Sequence, residues 1–451
     1  MVRTRFALSP PALVRAASAA ADPVGFFTNR AADRRPFVLH FPGLGQVVFH
    51  GTSPAARDIL AAPSHACRAP LPNPIEPVVG PASLILLSGE RHRRERALLT
   101  PALHGEQVKS YAEMIAAATS EQIGGLRPGQ SVDVYDLAVG ITLDVAIRVV
   151  FGVTDPARRT RYIQAVKDLL AANTAPLMLL PALRRDIAGI GPWAKLLRFR
   201  DDLDRLLAED MASRSRADTP GGDMLDLLLS ATDDAGQGHT DAETLDQLRT
   251  LLAAGHETTA SSLTWALYHV HRDDDVRARL HAELSTCATA LEFAALPYLG
   301  AVIKETLRMH PPVPIVLRRL TEPLTVDGVT HPAGRVVGVA LYALHFNPDI
   351  WSTPHRFDPD RFLSRRPTPF EYAPFGGGYR RCVGAAFATS ELAVALGTIL
   401  MHLDLRMSQR DSAAPPPRSV ARGIAVAPAG RIRLEVAGLR GSGGISTPSP
   451  R

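Results

Sequence analysis

A short stretch near the C-terminus, from Phe375 to Glu391, combines residue types that suit the binding of a large reactive group. It reads FGGGYRRCVGAAFATSE and contains three consecutive glycines, two arginines and Cys382, one of only three cysteines in the chain. An apolar helical pattern follows at once, so we expect a helix to begin at about Cys382. The helix dipole and free N–H groups, together with Arg380 and Arg381, favour a thiolate over a thiol.

The three glycines indicate that the backbone needs unusual dihedral angles or that something large approaches it closely. A thiolate, a backbone cleared of side chains and nearby arginines suit a flat, anionic, iron-bearing ligand, and that ligand is haem. A lone cysteine near glycines is usually just a small buried residue. The full spacing is more specific, and its members are Phe375, Gly378, Arg380, Cys382, Gly384 and Ala388.

This spacing resembles the haem-binding loop of the cytochrome P450 superfamily. The resemblance implies that Cys382 is the axial ligand of the haem iron, that Arg380 contacts a haem propionate and that Phe375 shields the sulfur. Gly376 and Gly384 fall on further cofactor-binding positions of the loop. The resemblance also implies haem b as the cofactor and a mainly α fold with small β-sheets. In that fold a single triangular domain holds haem between a long central helix and the cysteine loop.

A second chemical motif lies inside a predicted long helix. Thr240 and Glu243 form a capping-box pattern, and a helical pattern runs from there to about Arg272. The middle of the helix, Ala253–Thr259, reads AAGHETT. Because a glycine, an acid and two threonines are poor choices for a buried helix interior, the motif predicts a local distortion with a functional reason.

The resemblance gives this motif a role on the oxygen-binding side of haem. It implies that Ala254 and Gly255 leave room for O2, the co-substrate. It also implies that Thr258 hydrogen-bonds the bound dioxygen and that Glu257 helps to relay protons. Thr259 completes the predicted catalytic group.

Two more segments supply candidate partners for the haem propionates. His92 and Arg96 stand four residues apart, so on a helix they share one face and suit a pair of carboxylates as cationic donors. A run this charged is more often a solvated helix, but both residues fall on propionate-binding positions of the family. By the same resemblance Arg318 holds a propionate, with Arg319 as the alternative register.

A charged triad is predicted to be structural. Glu305 and Arg308 are three residues apart on a predicted helix and can form an ion pair on one helix face. The family buries this E-x-x-R pair and completes it with an arginine from F-x-P-x-R-F, which here is Arg361. The resemblance therefore implies a triad that fixes the core and the loop before the cysteine.

The elements that position these residues are mostly helices, with a few short strands. Residues 37–50 alternate well enough for two strands joined by a turn at Pro42-Gly43. Strand-like segments at Leu324 and Val336 follow the long helix, with a turn at Asp327-Gly328 between them.

Length and composition predict one large domain. The chain has 451 residues, 46% of them hydrophobic and 21% charged, and no Gly/Ser-rich linker divides it. We expect an N-terminal extension over residues 1–36, a haem-thiolate monooxygenase domain over 37–440 and a disordered tail over 441–451. The arginine-rich start weakly resembles a targeting peptide, but we expect an ordinary N-terminus.

Charge and cysteine usage indicate the partners and the compartment. The net charge of +5 comes from arginines spread along the chain, which favours an acidic protein partner over nucleic acid. The three cysteines are too few and scattered for a disulfide framework, so we expect a cytoplasmic monomer. No apolar run approaches the roughly 20 residues of a transmembrane segment.

The electron supply is predicted to be external. The chain has no flavin or iron–sulfur pattern and no spare length for a reductase domain. NAD(P)H therefore acts only indirectly, through a reductase and a ferredoxin or flavodoxin. Such partners are acidic, which suits a basic patch of Arg91, Arg93 and Arg94 with Arg381 near the cysteine.

The predicted reaction is insertion of one oxygen atom from O2 into a lipophilic small molecule, by hydroxylation or epoxidation. The candidate pocket segments are mostly apolar, and they are Pro70–Leu86, Thr174–Trp193, Leu251–Thr258 and Val313–Leu317. A peroxide-driven enzyme, a non-oxygenating haem-thiolate enzyme, and a haem-based sensor or binding protein stay open as alternatives. The intact pair of Glu257 and Thr258 argues against the first, since peroxide use needs no proton relay.

Overall fold

Helices dominate the computed structural model, which describes residues 22–41, 43–174, 177, 183–186, 189–214, 223–422 and 425–440. The helices of this part are α1 (Pro23–Thr28), α2 (Ser53–Leu60), α3 (Glu76–Val79), α4 (Gly89–Leu99), α5 (Glu106–Ser110), α6 (Ala112–Ile123), α7 (Val134–Val145), α8 (Pro156–Ala172), α9 (Pro192–Arg214), α10 (Met224–Ser230), α11 (Asp241–Arg272), α12 (Asp274–Leu284), α13 (Pro297–Met309), α14 (Leu341–His345), α15 (Arg361–Ser364), α16 (Ala385–His402) and α17 (Gln409–Ala413). A π-helical turn over Ala146–Val150 follows α7, and 3₁₀ turns form at Pro101–Leu103, Ala290–Ala295 and Gly378–Arg380.

The strands are short and belong to small sheets. They are β1 (Phe37–Phe41), β2 (Gly45–His50), β3 (Cys67–Arg68), β4 (Ser131–Asp133), β5 (Ile315–Leu320), β6 (Leu324–Val326), β7 (Val329–His331), β8 (Val336–Ala340), β9 (Leu403–Arg406), β10 (Ser419–Arg422), β11 (Ala425–Pro428) and β12 (Arg433–Leu439). The prediction of a mainly α fold with small β-sheets is therefore confirmed.

The largest sheet has five strands in the order β1-β2-β8-β5-β3. Its pairs are antiparallel except for β2 and β8, which run parallel. A three-stranded sheet has the order β4-β12-β9, and β6-β7 and β10-β11 form separate hairpins. The turn of the β6-β7 hairpin takes positive φ at Asp327 and Gly328, as its sequence predicts.

The long helix α11 is the centre of the core. The predicted capping box is present: the Thr240 hydroxyl accepts from the Glu243 N–H, and the Glu243 carboxylate accepts from the Thr240 N–H. Most side chains between Thr244 and His271 are buried, and α11 packs against α7, α13 and α16. The helix is continuous through the AAGHETT motif, so the predicted distortion does not take the form of a break.

Helix α1 lies inside the predicted N-terminal extension and packs on the five-stranded sheet. Its Phe26 and Phe27 are buried beside Phe37 and Phe49. The predicted targeting-like start and the predicted C-terminal tail lie outside the described residues, as do Pro42 of the first turn and parts of the Thr174–Trp193 segment.

Among the described residues, one helix, α16, is long and apolar enough to cross a membrane. It lies in the protein core, where 72% of it is buried and where it packs against α6 and α11. The core position explains its composition, because a helix surrounded by other helices is apolar on every face.

Candidate functional site

The cysteine loop has a backbone that only its glycines allow. Gly376 and Gly378 adopt φ of 65° and 64°, in the left-handed region that disfavours other residues. A side chain at Gly378 would also place its Cβ 1.9 Å from the Leu60 carbonyl oxygen. The loop closes on itself where the Cys382 N–H donates to the Phe375 carbonyl at 2.9 Å. Helix α16 begins only at Ala385, three residues later than predicted.

The sulfur of Cys382 is not a ready thiolate. The residue is solvent-exposed as a whole, yet protein atoms crowd its sulfur, and this burial raises the pKa of the thiol. The Gly384 N–H, Arg381 and Arg96 lower that pKa, as predicted, but burial outweighs them. The backbone N–H and the arginines therefore favour the thiolate, while burial opposes it. Coordination by a metal cation would deprotonate the sulfur outright.

Three candidate propionate partners lie together around the ring of Tyr379. The His92 ring lies edge-on to it at 5.5 Å, and the Arg318 and Arg380 guanidinium carbons lie 6.0 and 5.7 Å from its centroid. Arg319 instead donates to the carbonyls of Gly334 and Leu71, away from this group. The geometry therefore places Arg318, and not Arg319, with His92 and Arg380.

The guanidinium groups of this cluster have no acidic partner among their recorded contacts in the described residues. Arg318 is 4% exposed and donates only to the carbonyls of Leu317 and Gly377. Arg380 donates to the carbonyls of Leu87 and Ile85 and to the Ser88 hydroxyl. The Nε atoms of both arginines are buried and unpartnered within the part of the chain described. Such crowded, buried positive charge is costly unless an anion joins it.

His92 differs from its predicted state. Burial, together with the charges of Arg380, Arg96 and Arg318, lowers its pKa to about 4, so the imidazole is neutral at pH 7. Arg96 is therefore the charged member of this pair, and the contact of both residues with propionates stays a prediction. That guanidinium donates to the Arg381 carbonyl at 2.6 Å and so links α4 to the cysteine loop.

The middle of α11 presents a stripe of half-buried residues. Leu251, Ala254, Gly255 and Thr258 are each partly exposed, although the helix around them is mostly buried. A Cβ added at Gly255 would meet no other atom within 4 Å, so open space adjoins the helix there. The Thr258 hydroxyl donates to the Ala254 carbonyl at 2.6 Å. Glu257 is also half-buried and interacts electrostatically with Tyr135.

Thr259 faces away from this stripe. It is 3% exposed, and its hydroxyl lies near the carboxyl group of Glu391 on α16. Thr259 is therefore not brought together with Thr258, although the two residues are neighbours in sequence.

The predicted structural triad is present and buried. Glu305 and Arg308 are fully buried and share two hydrogen bonds of 2.7 and 2.8 Å, and Arg361 donates to Glu305 at 3.0 Å.

Two features of the site were not predicted. The sequence-based predictions give Tyr379 no role, although an aromatic residue between the loop glycines and an arginine was the available signal. Arg94 was assigned to an outward basic patch, which is wrong. It pairs with Asp233 at 2.6 Å and with the buried Glu95 at 2.7 Å, because the loop before α11 folds back over α4.

These residues fit haem. Arg318 and Arg380, which have no acidic partner in the described residues, suit its two carboxylates. The half-buried stripe of α11 leaves space for its flat ring at Gly255, and Cys382 offers a sulfur to its iron. Fold and site together define a haem-thiolate enzyme.

The chain belongs to the cytochrome P450 family, whose family model matches residues 18–434. Cytochrome P450 135B1 of Mycobacterium tuberculosis is 34% identical over 388 residues, which cover 85% of this chain and 81% of that protein. Cytochrome P450 138 of the same organism is 33% identical over 414 residues, covering 90% and 89%.

Two solved structures are similar. Cyanobacterial CYP120A1 with bound retinoic acid has a TM-score of 0.75 and 26% identity, covering 89% of this chain and 91% of its own. The haem domain of cytochrome P450DA has a TM-score of 0.79 at 23% identity, covering 95% and 94%, and shows the shared fold. The protein is thus a P450 monooxygenase that carries haem b, uses O2 and receives NAD(P)H electrons through redox partners.

Glu391 gives this structure a testable dependence on pH. Burial raises the pKa of its carboxyl from 4.5 to about 8, and the Thr259 hydroxyl lowers it only in part. The native state therefore holds a proton that the unfolded chain releases between these values. Stability should be full below pH 4.5 and should fall as pH rises to about 8, by at most about 1.4 kcal/mol per pH unit.

Glu391→Gln should remove this dependence. We expect its free energy of unfolding to exceed that of the wild type by an amount that grows between pH 5 and 8. Denaturant unfolding of the haem-loaded proteins across this range measures the difference. Glu435→Gln, at an exposed position on β12, is the control and should follow the wild type. Parallel pH profiles for Glu391→Gln and the wild type would contradict the prediction.

Proposed function

We propose that this cytochrome P450 inserts one oxygen atom of O2 into a lipophilic small molecule, by hydroxylation or epoxidation, with electrons from a separate ferredoxin or flavodoxin. One observation carries the proposal. Thr258 lies on the half-buried stripe of α11 with its hydroxyl held by Ala254, and Glu257 precedes it. An acid beside a positioned hydroxyl serves proton delivery, which reduction of O2 requires and the use of peroxide does not.

The Thr258 hydroxyl has one proton, and it donates that proton to the Ala254 carbonyl. Its oxygen therefore remains an acceptor on the side of the open space. In our proposal Thr258 positions a water molecule or another proton carrier, and Glu257 exchanges protons with it.

The rest of the site serves the cofactor. Bound haem supplies the chemistry that activates oxygen and transfers it. In our proposal Cys382 ligates the iron, while His92, Arg96, Arg318 and Arg380 hold the propionates. Each arginine can give a carboxylate two N–H donors, and a nearby anion would raise the pKa of His92 and make it a second type of donor.

The cysteine loop itself shapes the space beside the sulfur. In our proposal the ring of Phe375 shields the sulfur from solvent. The backbone carbonyl of Phe375 accepts a hydrogen bond from the Cys382 N–H. Gly376 and Gly384 would let the haem approach the backbone closely, and a Cβ added at Gly384 would meet no other atom within 4 Å.

Apolar side chains of the candidate pocket segments support a lipophilic substrate. Leu251 on α11 and Val316 and Leu317 on β5 are partly exposed, and the loop that carries Leu84 and Leu86 is held to α11 where the Leu84 N–H donates to the Gln247 side chain. Arg184 donates to the Leu177 carbonyl at 2.9 Å. This hydrogen bond occupies part of a guanidinium group that would otherwise suit a substrate carboxylate. The similar CYP120A1 binds retinoic acid, itself a lipophilic molecule.

The test combines binding and turnover. A panel of lipophiles is titrated into the ferric protein to find compounds that shift the Soret band by displacing iron-bound water. Those compounds are then incubated with isotope-labelled O2, NAD(P)H and a ferredoxin or flavodoxin system. One labelled oxygen atom per product molecule is expected. Product that forms faster with peroxide alone would favour a peroxide-driven enzyme. Product without label would indicate a non-oxygenating reaction, and binding without electron consumption would indicate a sensor.

We propose that the electron donor docks on the exposed arginines near the cysteine. Arg381 is exposed next to Cys382, and Arg91 and Arg93 have side-chain exposures of 67% and 81% on α4. Their recorded acidic neighbours, Glu243 for Arg91 and Glu90 for Arg93, form surface pairs that contribute little. These guanidinium groups therefore remain available to an acidic protein.

Reversing two of these charges should slow reduction. For Arg91→Glu/Arg93→Glu we expect the bimolecular rate of reduction by an acidic ferredoxin to fall about tenfold at low salt, with the difference shrinking at high salt. Stopped-flow formation of the reduced CO complex measures the rate. Arg410→Glu, beyond the far end of α16, is the control and should behave as the wild type. An unchanged rate in the double variant would contradict the proposed docking surface.

We also propose that the protein is a monomer in the cytoplasm. All three cysteines, Cys67, Cys287 and Cys382, are free, which suits a reducing compartment. Sedimentation of the haem-loaded protein tests the oligomeric state.

A further inference from the structure

Tyr379 ties the cysteine loop to the five-stranded sheet. Its hydroxyl donates to the Cys67 carbonyl on β3 at 2.8 Å, and the Cys67 sulfur lies 3.6 Å from the same oxygen. Cys67 itself is 1% exposed and pairs with Leu320 on β5. The hydroxyl is thus fixed by a rigid part of the fold, and the direction of the tyrosine ring is fixed with it.

The ring is the one surface that His92, Arg318 and Arg380 share. It meets the His92 imidazole edge-to-face at an interplanar angle of 88°, while the guanidinium groups of Arg318 and Arg380 lie about it at 6.0 and 5.7 Å. These three residues come from α4, β5 and the cysteine loop, which are far apart in sequence. No element of secondary structure holds all three.

Electrostatic repulsion works against this arrangement. Burial and the charge of Arg380 lower the pKa of Arg318, and burial and both arginines lower the pKa of His92, so charge on any one of these groups disfavours charge on the others. The face of an aromatic ring attracts cations, and more strongly where water is excluded. A ring between the arginines can therefore offset part of the repulsion and limit the directions in which they move apart.

We propose that Tyr379 is a positioning residue of the haem site, which pre-arranges His92, Arg318 and Arg380 as a receptor for the carboxylates of the cofactor. The inference rests on haem binding by the family and does not depend on the substrate or on the electron donor. Pre-arrangement lowers the ordering cost that binding would otherwise carry, so its main effect should fall on how firmly haem is held.

The experiment compares Tyr379→Leu, which removes the ring, with Tyr379→Phe, which keeps the ring and removes only the hydroxyl. Haem loss from the ferric holoprotein to excess apomyoglobin is followed at a temperature where all variants are folded by circular dichroism. We expect loss to be about tenfold faster in Tyr379→Leu and less than about threefold faster in Tyr379→Phe. The reduction potential of Tyr379→Leu should also become more negative, because displaced arginines stabilise the ferrous state less.

Tyr298→Leu is the matched control. Tyr298 is also a well-packed tyrosine with an arginine over its ring, Arg279 at 3.9 Å, but it lies on α13 away from the cluster. Its replacement should lower stability without changing the rate of haem loss or the potential. If Tyr379→Leu lost haem at the wild-type rate and kept the wild-type reduction potential, the proposal would be overturned. Equal acceleration in Tyr298→Leu would overturn it as well.

Discussion

Cys382→Ala is expected to abolish the thiolate-type Soret band of the reduced CO complex and to reduce oxygen insertion to background. The variant leaves the cysteine loop without a sulfur ligand, while the loop glycines and the Phe375 carbonyl contact are unaffected. Burial raises the pKa of the free thiol, and a bound iron would favour the thiolate by coordinating it. Removing the sulfur therefore removes both the ligand and its donation of electron density to the iron.

Cys287→Ala is the control for this prediction. Cys287 follows α12 and is half-buried, so its removal should leave the band and the turnover unchanged. Cys67 does not replace the missing ligand, since it is buried on β3 behind Tyr379. If Cys382→Ala gave the same CO band as the wild type, the central assignment of the site would fail.

Local signals in the sequence were sufficient for the elements that carry the site. The Thr240 and Glu243 capping pair fixes the start of α11, and two left-handed residues fix the β6-β7 turn. The glycines of the cysteine loop could be assigned because positive φ has few other solutions. These features depend on residues close together in the chain, and a sequence shows such residues directly.

Features that depend on contacts between distant segments could not be predicted. Arg94 resembled its neighbours in sequence, but only the folded chain brings Asp233 to it. The position of the Thr259 hydroxyl near the Glu391 carboxyl group could not be predicted either, because Glu391 lies on another helix. The shift of the Cys382 pKa has the same origin: the arginines are visible in sequence, whereas the burial that outweighs them is tertiary.

The spacing of a helix-face ion pair in the sequence does not show how strongly the fold buries the pair. As a surface pair, Glu305 and Arg308 would contribute little. In the structure both are fully buried, and Arg308 also donates to the carbonyls of His345 and Pro354. Glu305 in turn accepts from the Asp358 N–H and from Arg361.

Glu305→Gln should therefore be among the most destabilising single substitutions. The amide keeps the size of the carboxylate but leaves Arg308 without its counter-ion and Arg361 with only Asp358 at 3.8 Å, and the two arginines are 0% and 8% exposed. Breaking a buried pair in this way costs about 3–5 kcal/mol, a large part of the roughly 5–15 kcal/mol that keeps a domain folded. We expect little soluble haem-loaded protein, and a clearly lower unfolding midpoint in what is recovered. Glu90→Gln, which breaks only the surface pair with Arg93, should have no measurable effect.

The damage should reach the cysteine loop through His345. Its ring bridges the Arg308 carbonyl on Nδ1 and the Ala373 N–H on Nε2, at 3.0 Å each, and Ala373 lies just before the loop. A shift of Arg308 would therefore loosen haem binding together with the fold. In the described part of the chain the triad makes no hydrogen bond or ion pair with the cysteine loop or the α11 stripe, so turnover per bound haem should stay near that of the wild type. Recovered Glu305→Gln protein with full haem but much lower turnover would contradict the structural role, as would an unfolding midpoint equal to that of the wild type.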